Sequence, residues 1–203
     1  MDAVEWDERY RSQDLVWSVE PNRFVEAETA STPVGRALDV AAGEGRNSIW
    51  LAGRGWRVTA VDFSEVGLEK GRRLAAQAGV SDRIDWLARD LRSWNPEPGA
   101  YDLVVVAYLH LGAEELSSAL TRMSAGLAPG GKLVVVGHDR ANLAGGVGGP
   151  QDPAVLYSPE SLRAILITAG LDGVSAETVE RPTPNGTALD TLATAVRPGR
   201  STE

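Results

Sequence analysis

Short apolar runs alternate along the chain with stretches whose apolar residues recur at helical spacing. Arg36-Ala37-Leu38-Asp39-Val40 reads as a buried strand, and Asn47 to Gly53 as a short helix stopped by glycine. Arg57 to Val61 is the next strand, closed by Asp62, and Ser64 opens a helix that runs to Gly79. Arg83 to Leu87 predicts a third strand. Tyr101 to Ala107, with Leu103 to Val106 unbroken, has the pattern of a central parallel strand. A helix over about 113–127 follows, stopped by Pro129-Gly130-Gly131, and Lys132 to Val136 is the fifth strand. Residues 138–157 form a long loop, after which Ser158-Pro159-Glu160 opens a helix. Val174 to Glu180 and Ala188 to Ala195, joined through Asn185-Gly186, predict a closing hairpin.

Strands and helices in alternation imply an α/β fold: a Rossmann-like, doubly wound, mostly parallel seven-stranded sheet with a C-terminal antiparallel hairpin. In such sheets ligands bind outside the carboxyl ends of the strands. The loops carrying Gly43, Asp62, Asp90, Tyr108 and His138 are therefore expected along one rim. A length of 203 residues predicts a single domain over 1–197, with 1–35 a cap segment, 138–157 a lid-like loop and 198–203 a loose tail.

Composition narrows the function classes. Apolar residues make up 43% and charged residues 24%, as in soluble globular proteins. No run is long enough for a membrane span, and residues 1–11 are charged and aromatic, unlike a secretory leader. The absence of cysteine removes disulfides and thiolate chemistry, and a cytoplasmic location is expected. A net charge of −8 argues against nucleic acid as a partner.

Chemistry is concentrated around Gly43-Glu44-Gly45. A glycine loop between a strand and a helix admits a ligand to the backbone, and the helix start behind it favours an anionic group. Asp62, at the end of the following strand, is placed to accept from ribose hydroxyls; its alternative is a helix cap. Asp39, inside a strand end, needs a polar or cationic partner. A nicotinamide site would want a third glycine where Ser48 stands, and its pyrophosphate would be repelled by Asp39. A ligand with an ammonium and a carboxylate beside a nucleoside fits better.

The run Leu38 to Asn47, Asp62, Asp90-Leu91 and Leu127-Ala128-Pro129-Gly130-Gly131-Lys132-Leu133 resembles the successive motifs of class I S-adenosylmethionine-dependent methyltransferases. Within that superfamily, Gly45-Arg46-Asn47, Trp6-Asp7-Glu8-Arg9-Tyr10, Trp17 and Glu20-Pro21-Asn22 are similar to the small tellurite-resistance and thiopurine methyltransferase group. Ala41 departs from the pattern, standing where the family has its first loop glycine. The resemblance implies that Asp39 meets the ligand's ammonium, that Gly43 and Gly45 border its methionyl chain, and that Arg46 meets its carboxylate. By the same resemblance Asp62 holds the ribose, Phe63 borders the adenine, Asp90 and Leu91 read the adenine edge, and Ala107 and Tyr108 form the floor. Trp17 either closes the pocket or anchors its segment by packing.

Methyl transfer needs alignment and exclusion of water more than a dedicated catalyst. His110 and His138 are the candidates for touching the acceptor, against the alternative of rim histidines that bond backbone. No metal site is predicted. The expected acceptor is a small nucleophile, with a thiol or chalcogen oxyanion leading by resemblance. An RNA methyltransferase and a non-catalytic binder of S-adenosylmethionine remain the alternatives. The expected product is S-adenosylhomocysteine.

Overall fold

The structure, a computed structural model, describes residues 3–199. Of the expected tail, residues 200–203 lie outside the described residues. The chain divides into two compact units, the first ending at Trp94 and the second beginning at Asn95.

In the first unit the segment expected as a cap holds two helices, α1 (Ala3–Arg11) and α2 (Arg23–Thr29). Asn22 caps α2, its side chain accepting from the Phe24 and Val25 amides. Three parallel strands follow in the order expected: β1 (Arg36–Val40), β2 (Arg57–Asp62) and β3 (Ile84–Ala88). Four of the five β1 residues are buried, which is why the strand reads as a continuous apolar run broken only by Asp39. Between the strands lie α3 (Arg46–Gly53) and α4 (Glu65–Gln77). Ser64 begins α4 by accepting from the Gly67 amide.

The second unit contains β4 (Tyr101–Ala107), α5 (Ala113–Ala125), β5 (Leu127–His138), α6 (Asn142–Gly145), α7 (Pro159–Thr168), β6 (Asp172–Thr183) and β7 (Gly186–Val196). Here the boundaries shift. The helix ends at Ala125, short of Leu127, and β5 starts five residues before the expected Lys132. Leu127, fully buried, already pairs with Tyr101, so the ladder begins ahead of Pro129-Gly130-Gly131 and the turn becomes an irregularity within it. The loop 138–157 is also less plain than expected, since it contains α6 and a tight turn at Pro153–Val155. A reciprocal Ser158–Ser161 capping box with Pro159 in the first turn starts α7.

Strands β4 and β5 are parallel, whereas β7 runs antiparallel to both β5 and β6. The strand order of the seven-stranded sheet is β3-β2-β1-β4-β5-β7-β6, the Rossmann-like, mostly parallel arrangement with a C-terminal antiparallel hairpin. Buried Val104, Val105 and Val106 pair with buried Leu133, Val134 and Val135, giving the apolar centre of the second unit.

Candidate active site

In the first unit the loop after β1 is built from left-handed residues. Ala41 (φ 58°), Gly43 (φ 55°) and Gly45 (φ 77°) reverse the chain into α3. The left-handed region costs an L-residue about 1–2 kcal/mol, so the departure at Ala41 is a strained position. The bend turns the Gly43 amide onto Asp62, with a hydrogen bond of 2.9 Å to Oδ2, while the Ser64 amide donates to Oδ1 at 2.8 Å. Asp62 thus ties the glycine loop to the next strand as well as lying beside the cap of α4. Burial pushes its pKa up against these amide bonds.

Asp39 is 1% exposed. Ser48 Oγ donates to its Oδ2 at 2.6 Å, but its Oδ1 has no hydrogen-bond partner among the described residues. Burial raises its pKa to about 6, opposed by the Ser48 bonds and by the charge of Arg46. A buried, half-satisfied carboxylate of this kind can accept from an ammonium or amine. Asp90 differs. Its side chain is 43% exposed and gripped by the Arg92 guanidinium, which lowers its pKa. Leu91 beside it is buried and Phe63 half-buried.

Three groups missed in the sequence complete this side. Glu44, buried, accepts from the Val16 and Trp17 amides at 3.0 Å and pairs with Lys70 at 3.3 Å. Asn47 accepts from the Asn22 amide. Tyr10 lies over Gly43, where a Cβ would stand 2.5 Å from its hydroxyl, and that hydroxyl accepts from Trp17 Nε1 at 3.3 Å. Trp17 packs with Trp6, and the guanidinium of Arg46 lies 5.9 Å from its ring. The N-terminal segment is therefore sewn to the glycine loop. Trp17, read in the sequence as closing the pocket or anchoring its segment, packs within this seam.

In the second unit Tyr108, His110 and His138 come together. The Tyr108 and His138 ring centroids are 4.9 Å apart, and the two imidazoles stack at 5.4 Å with a 7° tilt. Tyr108 takes φ 56° directly after Ala107, the buried last residue of β4. Its hydroxyl donates to Asp190 Oδ2 at 2.8 Å, which also accepts from Arg181 Nε at 2.6 Å. Burial opposes ionisation of Asp190, yet its His138, Arg181 and Tyr108 contacts together hold its pKa below the usual carboxylate value. Burial and the neighbouring His138 lower His110 to about 4. Asp190 and Arg181 were not legible in the sequence. No group of metal-ligating side chains occurs among the described residues, and none of their helices is long and apolar enough to cross a membrane.

Residues 37–131 match the methyltransferase domain family. The match covers just under half of the chain and includes the glycine loop, Asp62 and Asp90. The demethylmenaquinone methyltransferase of Clavibacter sepedonicus is 34% identical over 122 residues, which are 60% of this chain and 47% of that one. The ubiquinone/menaquinone biosynthesis C-methyltransferase UbiE of Cereibacter sphaeroides is 30% identical over 109 residues, 53% and 44% of the two chains. The chain thus spans about half the length of these curated relatives. Among solved structures, magnesium protoporphyrin IX methyltransferase of Synechocystis PCC 6803, with bound S-adenosylmethionine, aligns at TM-score 0.65 and 20% identity, covering 96% of this chain and 80% of that one. A methyltransferase structure from Methanosarcina mazei aligns at TM-score 0.71 and 15% identity, over 89% of this chain and all of that one. At these identities the likeness is one of fold. The family match and the named relatives are methyltransferases, and the solved structures share the fold. They do not support the narrower tellurite-resistance and thiopurine likeness, nor a thiol or chalcogen acceptor, since these relatives are named for quinone methylation.

Proposed function

We propose that the protein is an S-adenosylmethionine-dependent methyltransferase whose acceptor is a small hydroxylated ring of the quinol type. The observation that carries the donor is Asp39: a buried carboxylate with one unpartnered oxygen, behind a loop whose backbone is held open by left-handed residues. That oxygen suits the ammonium of the methionyl group, and Arg46 suits its carboxylate. Gly43 and Gly45 border the chain between them, with Trp17 over it. Asp62 retains lone pairs for ribose hydroxyls, and Phe63, Asp90 and Leu91 suit the adenine. The bound donor supplies a methyl group already activated by its sulfonium. The residues of the chain bind, orient and exclude water. Ala107 and Tyr108 serve the acceptor side. The quinol acceptor follows from the quinone-methylating relatives, which replace the thiol or chalcogen expectation.

Thermal unfolding with S-adenosylhomocysteine and with NAD tests the donor. The first ligand should raise the melting temperature and the second should not. Labelled donor with a panel of quinols, phenols, thiols and oxyanions tests the acceptor. Transfer to RNA alone overturns the small-molecule reading; binding without turnover on any acceptor leaves a non-catalytic binder. Asp62→Ala should weaken S-adenosylhomocysteine binding at least several-fold by calorimetry.

A further inference from the structure

The side-chain cluster of the second unit is more elaborate than packing requires. Strands β5 and β7 pair so that His138 stands opposite Asp190, bringing Nδ1 to 3.3 Å from Oδ1. Asp190 is fully buried and already neutralised by Arg181. A purely structural ion pair would be complete at that point. Instead the same carboxylate holds Tyr108 in a left-handed conformation at the end of β4, and strain of that kind persists where surrounding contacts over-determine it.

The His138 ring is fixed on several sides. His110 stacks on it almost parallel, and the backbone of Gly149 presses close enough that a Cβ there would lie 2.9 Å from Nδ1. Nδ1 is buried at charge-pair distance from Asp190 without hydrogen-bond geometry, while 14% of the side chain remains accessible. Nε2 is the nitrogen left to meet a ligand.

We propose that His138 removes the acceptor's hydroxyl proton, with Asp190 as its positioning residue. The inference rests on the methyltransferase reading above. The acceptor's O–H bond breaks, its proton passes to Nε2, and the electron pair stays on the oxygen as a phenolate; a ring carbon it enriches takes the methyl as the S–CH3 bond breaks, and that carbon's hydrogen then leaves as a proton to solvent, restoring the ring. The imidazolium that forms has the Asp190 carboxylate 3.3 Å from its Nδ1, a charge beside it that, with the stacked His110 ring and the Gly149 backbone, keeps the ring in place. Arg181, with its guanidinium 5.7 Å from the Tyr108 ring, adds positive charge beside the same carboxylate. Burial keeps His110 neutral at physiological pH, so it adds no charge against the His138 ring stacked on it. The adjacent Asp139 takes no part, because its carboxylate is occupied by Thr178, Thr191 and the Ala141 amide.

His138→Gln tests the step with a series of phenols and quinols of decreasing pKa. The variant should lose roughly 100-fold or more in kcat on weakly acidic acceptors, with KM and S-adenosylhomocysteine affinity within a few-fold. The deficit should shrink as the acceptor becomes more acidic, and added imidazole should restore part of the rate in His138→Ala. An equal loss on every acceptor, or none, overturns the proposal. If the wild type methylates nothing, the methyltransferase reading fails, and the proton step is read separately from the visible phenolate band of bound 4-nitrophenol. At one pH the wild type should hold more of that probe as phenolate than His138→Gln does. Equal fractions, or no binding, overturn the assignment.

Discussion

Each unit ends a buried strand on a left-handed residue, Ala41 after β1 and Tyr108 after β4, yet they secure their carboxylates differently. In the first unit the main chain is prominent: Gly43 and Ser64 amides hold Asp62, and Val16 and Trp17 amides hold Glu44. In the second, side chains converge on Asp190 from Tyr108, Arg181 and His138. The outcome for the buried acids is opposite. Asp39 lacks a full set of partners and is raised to about 6, whereas Asp190 is held low. One acid is short of partners in a way a ligand could repair. The other is satisfied by the fold and orients a neighbour.

The largest break in this comparison should come from Asp190→Ala. It strips a buried ion pair of one partner and releases Tyr108, and should cost about 3–5 kcal/mol in urea unfolding. Asp39→Asn at pH 7 should instead leave stability unchanged or raise it, while weakening S-adenosylhomocysteine binding. Gly45→Ala comes next. Its methyl would enter the Trp86 ring at a left-handed φ, so a loss of about 2–3 kcal/mol is expected by the same assay.

Effects that appear only as pH changes sharpen the contrast further. Asp39 rises from 3.8 to about 6 on folding, so its stabilisation is full below 3.8 and disappears as pH climbs to 6, a change of roughly 3 kcal/mol. His110 falls from 6.5 to about 4, so its contribution is present above 6.5 and disappears as pH drops towards 4. The two slopes oppose one another. Relative to wild type, Asp39→Asn should lose stability on going from pH 6 to 4, and His110→Gln should gain it, by denaturant midpoints across that window. The smallest effect belongs to Asp90→Asn. Its exposed pair with Arg92 should change stability by less than about 0.5 kcal/mol. A fall in S-adenosylhomocysteine affinity would then report its contact with the ligand alone.

The same contrast explains what was legible in the sequence. Gly43, Gly45, Asp39 and Asp62 lie close along the chain, and a backbone-built loop announces itself through glycines at fixed offsets from strand ends. Ser64 and Ser158 showed their helix starts for the same local reason. Asp190 meets Tyr108 across 82 residues, and its pairing with His138 exists only once β7 has found its register on β5. Nothing near Asp190 in the chain signals that meeting. The contacts of Tyr10 with Gly43 and of Glu44 with Val16 and Trp17 were hidden likewise, because the Trp6 to Tyr10 run says nothing of which loop its segment meets. Pro129-Gly130-Gly131 misled for the converse reason: a strong local stop signal was overridden by the burial of Leu127 and its pairing with Tyr101.

The close fit of aromatic rings on glycines also constrains how this sequence can drift. Trp86 lies against both Gly45 and Gly71, Tyr10 against Gly43 and Gly67, and Tyr157 against Gly137. Each glycine can acquire a side chain only after its ring has shrunk or moved, and shrinking the ring first opens a cavity. Either order passes through a damaged intermediate, so ring and glycine should be inherited as a unit. Among descendants, a Gly71 replaced by alanine is expected to travel with a smaller residue at 86. The positions around the glycine loop are thus tied to one another by volume.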